Sequence, residues 1–389
     1  MSRPSDRCPG VLDPHPAADG LVARIRLPGG AVTPAEMQAL AAFAADHGDG
    51  FLELTGRANV QVRGLSEVDD TAIAGLRDAG LLPSGAHDRV RNTMVSPLSG
   101  RLGGHGDVRP LASDLDAALV DDPDLAALPG RFLFGFDDGH GDVLAHGPDV
   151  GVLAVDGDTV ELLLGGRRTG RLVASDGAVA VLLDVARAFV GVRGDRWRIG
   201  DLDAESLAVL VEIVDAATRP DDADPIPVVP HDGPIVGWFD QDDGTVLLGA
   251  VVELARIPAR TAEFLAAIDH PIVITPDREI LVCDLGEGVA ETVVRVLAPM
   301  GLVYDAASPW ARVSACAGSP GCARSHADVR ADLVEHLASG EAADLGDRQH
   351  WIGCERGCGS PHGPHLRVEA GPEGYTRRRT GEDPDPGHL

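Results

Sequence analysis

The sequence predicts an α+β chain built twice over, and three observations predict it. A β-α-β-β-α order opens the chain and a similar order returns from residue 245. A Pro/Asp-rich stretch, RPDDADPIPVVPHDGP (219–234), marks a seam between the two runs. Beyond the helices, AGLLPSGAHDRVRNTMVSPLSG lines up loosely with MGLVYDAASPWARVSACAGSPG.

In the first copy, LVARIRL (21–27) alternates Leu21, Ala23, Ile25 and Leu27 against Val22, Arg24 and Arg26. That is the period of a half-buried strand, with two arginines on its polar face. A helix follows in TPAEMQALAAFAADHG: Thr33 caps it, Pro34 suits its first position, Glu36 closes a capping box and Gly48 ends it. FLEL and NVQVRG read as strands, and a second helix is expected over 67–79. In the second copy, TVLLGAVVEL (245–254) reads as a strand and PARTAEFLAAID (258–269) as a helix. PIVITPDREILVCDL (271–285) holds two strands round a turn, and VAETVVRVLAPMG (289–301) is a further helix. The expected units are two small half-domains at 8–82 and 235–303, larger lobes at 83–218 and 304–370, and a linker at 219–234. Residues 371–389, charged and rich in Pro and Gly, read as a disordered tail.

Composition narrows the chemistry. Hydrophobic residues make up 44% of the 389, but aromatics only 4%, so the cores must be built from Ala, Val and Leu. All 33 basic residues are arginine, which removes Schiff-base and P-loop lysines from consideration. A net charge of −28 would repel a phosphate backbone, so no nucleic-acid partner is expected; the plain explanation of the charge is a solvated acidic surface. The polar first twenty residues resemble no secretory signal, and no apolar run is long enough to cross a bilayer. A soluble cytoplasmic protein with no membrane partner is the expectation, and there cysteines serve metals or catalysis more often than disulfides.

Four of the six cysteines form two pairs: Cys316 and Cys322 in SACAGSPGC, and Cys354 and Cys358 in GCERGC. A helix is expected between the pairs, in ARSHADVRADLVEHLAS. C-x5-C is a poor zinc knuckle, and the C-x-x-C of a dithiol oxidoreductase is absent. A cubane iron–sulfur cluster is larger than one ion, accepts wide spacing and needs small residues beside its sulfides. Gly318, Gly321, Gly353, Gly357 and Gly359 provide that room. A [4Fe–4S] cluster therefore leads, with zinc and buried free thiols as alternatives. Cys283, in an apolar strand, reads as a core residue. Cys8, in a turn-rich RCPG, is either a surface thiol or folds back onto the site.

C-x5-C followed by G-C-x3-C-G resembles the cluster motif of the sirohaem nitrite and sulfite reductases, over most of residues 8–370. The resemblance implies a duplicated fold: two ferredoxin-like half-domains and two larger α+β lobes in pseudo-twofold arrangement. It implies a [4Fe–4S] cluster on Cys316, Cys322, Cys354 and Cys358, with Cys358 nearest the active-site metal. Within that superfamily, CPGVLDPHPAADGLVARIRLPGG, RFLFGFDDGHGDV and ACAGSPGCARSHADVRAD are similar to the precorrin-3B synthase family of aerobic cobalamin biosynthesis. That likeness implies an O2-dependent monooxygenase that hydroxylates precorrin-3A at C20 and forms a lactone. It also implies a second, non-haem iron, whose ligands the sequence does not identify. Electrons would come from NAD(P)H through an external donor, since no G-x-G-x-x-G fingerprint follows a strand here. The alternatives are a sirohaem-dependent nitrite or sulfite reductase and a non-catalytic [4Fe–4S] electron-transfer protein. RFLFGF carries Arg131 and Leu133 where the reductases carry lysine, which speaks against anion reduction. TPDRE carries Asp277 where relatives have an aromatic residue.

A tetrapyrrole with eight carboxylates calls for arginine forks. LTGRANVQVRG fits the family's T-x-R-x-x-x-Q pattern and implies Arg57 and Gln61, with Arg63 nearby. DRVRNTM offers Arg89, Arg91 and Asn92; Arg131 stands in a lysine position; LLLGGRRTGR offers Arg167 and Arg168. If the segment stays extended, Arg57, Asn59, Gln61 and Arg63 share a face. The ordinary alternative for each arginine is a solvated or salt-bridged side chain. His350, His362 and His365 flank the second cysteine pair and are expected to be exposed rather than metal ligands.

Overall fold

The computed structural model describes residues 8–220, 226–231, 233–339 and 348–381. The capping box appears as expected on the helix Pro34–His47: Glu36 N–H donates to Thr33 Oγ1 (3.2 Å) and Thr33 N–H donates to Glu36 Oε2 (2.7 Å). The strands Gly20–Ile25, Phe51–Leu54 and Val60–Leu65 and the helix Asp70–Asp78 complete the first repeat. Val246–Val252, Ala259–Ala266, Ile272–Ile274, Ile280–Leu285 and Glu287–Leu297 complete the second.

The two repeats do not fold as separate units. The first sheet runs His15–Ala17, Gly20–Ile25, Val60–Leu65, Phe51–Leu54 and then Arg256–Pro258, from the other copy. The second runs Gly237–Asp240, Val246–Val252, Ile280–Leu285, Ile272–Ile274 and then Ala31–Val32, from the first. Each sheet thus closes an edge with a strand of its partner, and one apolar core runs through both. Leu40, Leu52 and Val60 from one copy share it with Ala262, Leu265 and Ile280 from the other.

The lobes repeat a second pattern. In the first, Thr93–Val95, Phe134–Asp137 and Val150–Ala154 are parallel, and Thr159–Leu164 joins antiparallel. In the other, Val313–Ala315, Gln349–Ile352 and His365–Gly371 are parallel, and Gly374–Thr380 joins antiparallel. A helix crosses over between the first two strands of each: Arg109–Asp121 and Val329–Ala338. The scarce aromatics gather in the first lobe, whose core holds Phe132, Phe134, Phe136 and Phe189.

The last strand corrects the tail expected at 371–389. Gly374–Thr380 pairs along its whole length with His365–Gly371. Tyr375 Oη donates to Asp332 Oδ2 (2.5 Å), and its ring meets Trp351 edge-on at 5.0 Å. Charged composition hid a strand whose anchoring is one aromatic ring and a full ladder. Residues 382–389, and 221–225 and 232 of the expected seam, lie outside the described residues. Among the described residues no helix is long and apolar enough to cross a membrane.

Candidate functional site

The cysteine pairs come together because parallel strands end side by side. Ala315 is opposite Trp351 in the ladder, so Cys316 leaves one strand end beside the Gly353–Cys354 exit of the next. Cys316 N–H donates to the Trp351 carbonyl (2.9 Å), and Gly353 N–H donates to Cys316 Sγ (3.3 Å). His326 N–H donates to the Gly353 carbonyl (2.9 Å), closing the first loop onto the second. Burial raises the Cys316 thiol pKa; amides of Gly353 and Gly318 oppose the rise, and Cys358 and Cys322 add to it. Cys316 Sγ is therefore within electrostatic reach of both Cys322 and Cys358. Cys354 is buried and Cys358 exposed.

Small residues are required here. A Cβ on Gly353 would lie 1.7 Å from Ser325 Oγ. One on Gly318, at φ +66°, would lie 2.8 Å from Val329 Cγ2. No three His, Cys, Asp or Glu side chains among the described residues are placed to share one metal ion. A cubane asks instead for four thiolates around a larger body, with amides directed at sulfur, and these loops fit that donor set.

Both half-domains hold the cysteine loops. Arg63 donates to both oxygens of Asp19 (2.9 Å each) and to the Gly321 carbonyl (2.9 Å). Arg278, in a turn at φ +67°, donates to the Gly359 carbonyl. His350 Nε2 meets the Cys358 carbonyl at 3.0 Å and its Nδ1 meets Ser314 Oγ at 2.8 Å. His350 is thus buried, not exposed as expected, because its strand faces the lobe interior. His365 is buried too, between the Gly363 carbonyl and Thr380 Oγ1 (both 2.9 Å). His362 is exposed.

The remaining candidates divide by partner. Arg91 forks onto Asp116 (2.8 and 2.6 Å), Arg168 is held by buried Glu161, and Arg89 pairs with Asp13 (2.9 Å). Asn92 donates to the carbonyls of Arg89 and Gly130 (3.1 Å each). Arg167 is exposed; Arg131 is exposed and lies over Trp197, 4.4 Å from the ring centre. Arg57 differs: its guanidinium donates to the Arg131 carbonyl (3.2 Å), with no carboxylate in salt-bridge range among the described residues. Burial and the nearby Arg198 bring its pKa down to about 10. The expected row of Arg57, Asn59, Gln61 and Arg63 is broken. Thr55–Asn59 is a tight turn with Ala58 at φ +55°, and Asn59 points inward to accept from Leu27 N–H (2.8 Å).

Arg24 and Arg26 were missed as site residues. Arg26 is only 2% exposed, donates to two backbone carbonyls, and has its pKa brought down to about 9 by burial and by Arg24. Arg24 donates to Gln61 Oε1 (3.0 Å), and burial lowers its pKa as well. The Nε atoms of both lack a hydrogen-bond partner. Arg24, Arg26 and Arg57 thus form a cation cluster beside Cys8 that makes no ion pair among the described residues, with Asp88 and Asp149 acting on Arg26 and Arg57 only through space. The arginine pair on one strand face was visible in the sequence; that Arg57, from a turn further along the chain, joins them in one group of cations was not.

The rings of His146 and His362 touch, their centres 4.3 Å apart. Burial lowers the His146 pKa to about 4, with help from His362, Arg57 and Arg348 and against Asp277. Partial desolvation of its ring, Arg57 and Arg198 lower that of His362, although the residue as a whole is exposed. Arg57 and two imidazoles held towards their neutral form thus adjoin the second cysteine loop.

This architecture is the nitrite/sulfite reductase-like fold, α+β and duplicated, and residues 14–74 match the Nitrite/Sulfite reductase ferredoxin-like half domain family. The chain is similar to the precorrin-3B synthase of a Sinorhizobium species, 27% identical over 95% of this chain and 81% of that one. It is also similar to the chloroplastic ferredoxin–nitrite reductase of Zea mays, 27% identical over 86% of this chain and 67% of the relative. The Mycobacterium tuberculosis NirA structure superposes with a TM-score of 0.70 at 20% identity, covering 92% of this chain and 73% of that one, a likeness of fold.

Proposed function

We propose that the protein is a precorrin-3B synthase-type monooxygenase of cobalamin biosynthesis, which hydroxylates precorrin-3A at C20 and forms the lactone. The observation that carries this reading is the cluster of Arg24, Arg26 and Arg57, which makes no ion pair among the described residues. A buried cation without an anion is costly, and a polycarboxylate ligand supplies the anions. The near full-length likeness to a precorrin-3B synthase supports the same substrate class.

In that reading, Cys316, Cys322, Cys354 and Cys358 would hold a [4Fe–4S] cluster, which would supply single electrons from an external, NAD(P)H-linked donor. Hydroxylation takes one oxygen atom into the product and reduces the other to water, with two electrons and two protons. Arg24, Arg26 and Arg57 bind and orient substrate carboxylates. His146 and His362, held neutral, add no charge to the cationic wall.

Likeness to a nitrite reductase keeps one competing reading, a sirohaem-dependent reductase. Anaerobic purification with visible spectroscopy and iron and sulfide assays separates the two. The expected result is a cluster spectrum without extractable sirohaem and O2-dependent turnover of precorrin-3A. Extracted sirohaem with nitrite or sulfite reduction defeats the synthase reading. A cluster with neither turnover favours the electron carrier.

A further inference from the structure

Glu53 is a buried carboxylate, 4% exposed, on the strand Phe51–Leu54. Its Oε1 accepts from Arg330 Nη2 (2.7 Å) and is ion-paired, without a hydrogen bond, to Arg256 Nε (3.2 Å), and its Oε2 accepts from Gln61 Nε2 (2.8 Å). Gln61 Oε1 accepts from Arg24 Nη2 (3.0 Å). We propose that Glu53 is a positioning residue: it fixes the Gln61 amide so that a neutral carbonyl orients Arg24 for a ligand carboxylate without neutralising it. This rests on the polycarboxylate reading above.

Donor and acceptor count fixes the orientation of the Gln61 amide. An ionised carboxylate only accepts, so Gln61 must turn its NH2 to Glu53 and its carbonyl the other way, to Arg24. A carbonyl dipole holds a guanidinium in place but leaves its charge whole. Arg63, on the same strand as Gln61, shows the opposite arrangement: Asp19 closes on its fork and cancels the charge. Glu53 itself is balanced by Arg256 from the second repeat and by Arg330 on the helix Val329–Ala338 that follows the first cysteine loop. The relay thus joins the cysteine lobe to Arg24 through two side chains, Glu53 and Gln61.

The test is a double-mutant cycle on the cluster-loaded protein, with uroporphyrin III as a stable eight-carboxylate probe and fluorescence as readout. Glu53→Gln and Gln61→Met should each weaken binding about tenfold, the weight of one hydrogen bond to a charged group. The double variant should stay near tenfold, because Glu53 acts through Gln61. Its effect on the unfolding midpoint, exerted through Arg256 and Arg330, should be the same in both backgrounds. An additive, roughly hundredfold loss in the double variant, or unchanged affinity in Glu53→Gln, overturns the relay. Should Glu53→Gln fail to fold, Gln61→Glu serves: it keeps Glu53 and closes a carboxylate on Arg24. Weakened binding then supports the relay, and wild-type affinity overturns it. If the wild-type protein does not bind the probe at all, the polycarboxylate reading fails first, and the relay with it.

Discussion

Ser96 stands in the first lobe where Cys316 stands in the second. Ser96 N–H donates to the Phe136 carbonyl (3.0 Å) as Cys316 N–H does to that of Trp351 (2.9 Å). The amide two residues further on returns to the side chain in each: Asp138 N–H to Ser96 Oγ (3.1 Å), Gly353 N–H to Cys316 Sγ (3.3 Å). Past that point the chemistry parts. Asp137 satisfies the amides of Gly139, Gly141 and Leu144, and Ser96 Oγ donates to Asp142 (2.6 Å), so the first-lobe loop closes on its own hydrogen bonds. The second lobe keeps the backbone frame and lines it with thiols.

Cluster assembly should therefore belong to one lobe. Wild-type protein should carry about four irons and four sulfides per chain. Cys354→Ser should lose nearly all of both, because Cys354 is the buried member of the set. Ser96→Cys should gain none, since the loop beside it offers carboxylates and no further thiol. Colorimetric iron and sulfide assays decide it; retained iron in Cys354→Ser shows that the ligand set is wrong.

The parts legible in the sequence were local or periodic. Thr33 and Glu36 lie three residues apart and make their own cap. The paired cysteines likewise announce loops at strand ends. The arginines were harder, because their roles depend on partners far along the chain. Arg91 meets Asp116 and Arg63 meets Asp19, pairings no local pattern contains. Arg24 and Arg26 looked like a solvated strand face, yet the lobes that cover that face come from elsewhere in the fold. The break at Ala58, a non-glycine residue at positive φ, carries no sequence signal of its own.

Arg57 and Arg91 should separate cleanly in experiment. Arg91→Ala strands the Asp116 carboxylate in a nearly buried pair, so unfolding free energy should fall by about 3 kcal/mol. Arg57→Ala removes a guanidinium with no carboxylate partner, and the stability change should stay within about 1 kcal/mol. Its cost should appear in ligand affinity, tenfold or more in the roughly 1.4 kcal/mol-per-decade sense. Urea unfolding and uroporphyrin titration of both variants check the pair; equal affinity in Arg57→Ala and wild type counts against Arg57 as a carboxylate-binding residue.

Acid should weaken the fold through His146. Its folded pKa, about 4, is below the ordinary 6.5, so the unfolded chain takes up the proton first as pH falls. The stability it contributes is whole above 6.5 and drains away as pH drops towards 4. Asp142 cannot produce this loss. Burial and Asp137 raise its pKa to about 6, so its contribution is whole below 3.8 and lost as pH rises through 6. Urea midpoints at the two ends of the acid window should fall further in wild type than in His146→Asn. Equal falls would mean that other groups carry the acid sensitivity.

Truncation before Gly374 should be far more damaging than loss of a tail. The strand Gly374–Thr380 forms the outer edge of the cysteine lobe's sheet and supplies Tyr375, whose ring covers Trp351 in that lobe's core. Its Thr380 Oγ1 also holds His365 at the far end of the hairpin (2.9 Å). Removing it exposes the neighbouring strand and leaves Asp332 without its phenol partner. A chain ending at residue 373 should melt lower and lose iron on desalting, whereas one ending at 381 should match full-length protein in both. Within the full chain, Tyr375→Phe should cost only about 1 kcal/mol, the hydrogen bond to Asp332, and keep its iron. Tyr375→Ala, which also empties the contact on Trp351, should cost about 3 kcal/mol. If the chain ending at 373 retains its iron and melting point, the strand is dispensable and the hairpin is not what holds the cysteine lobe together.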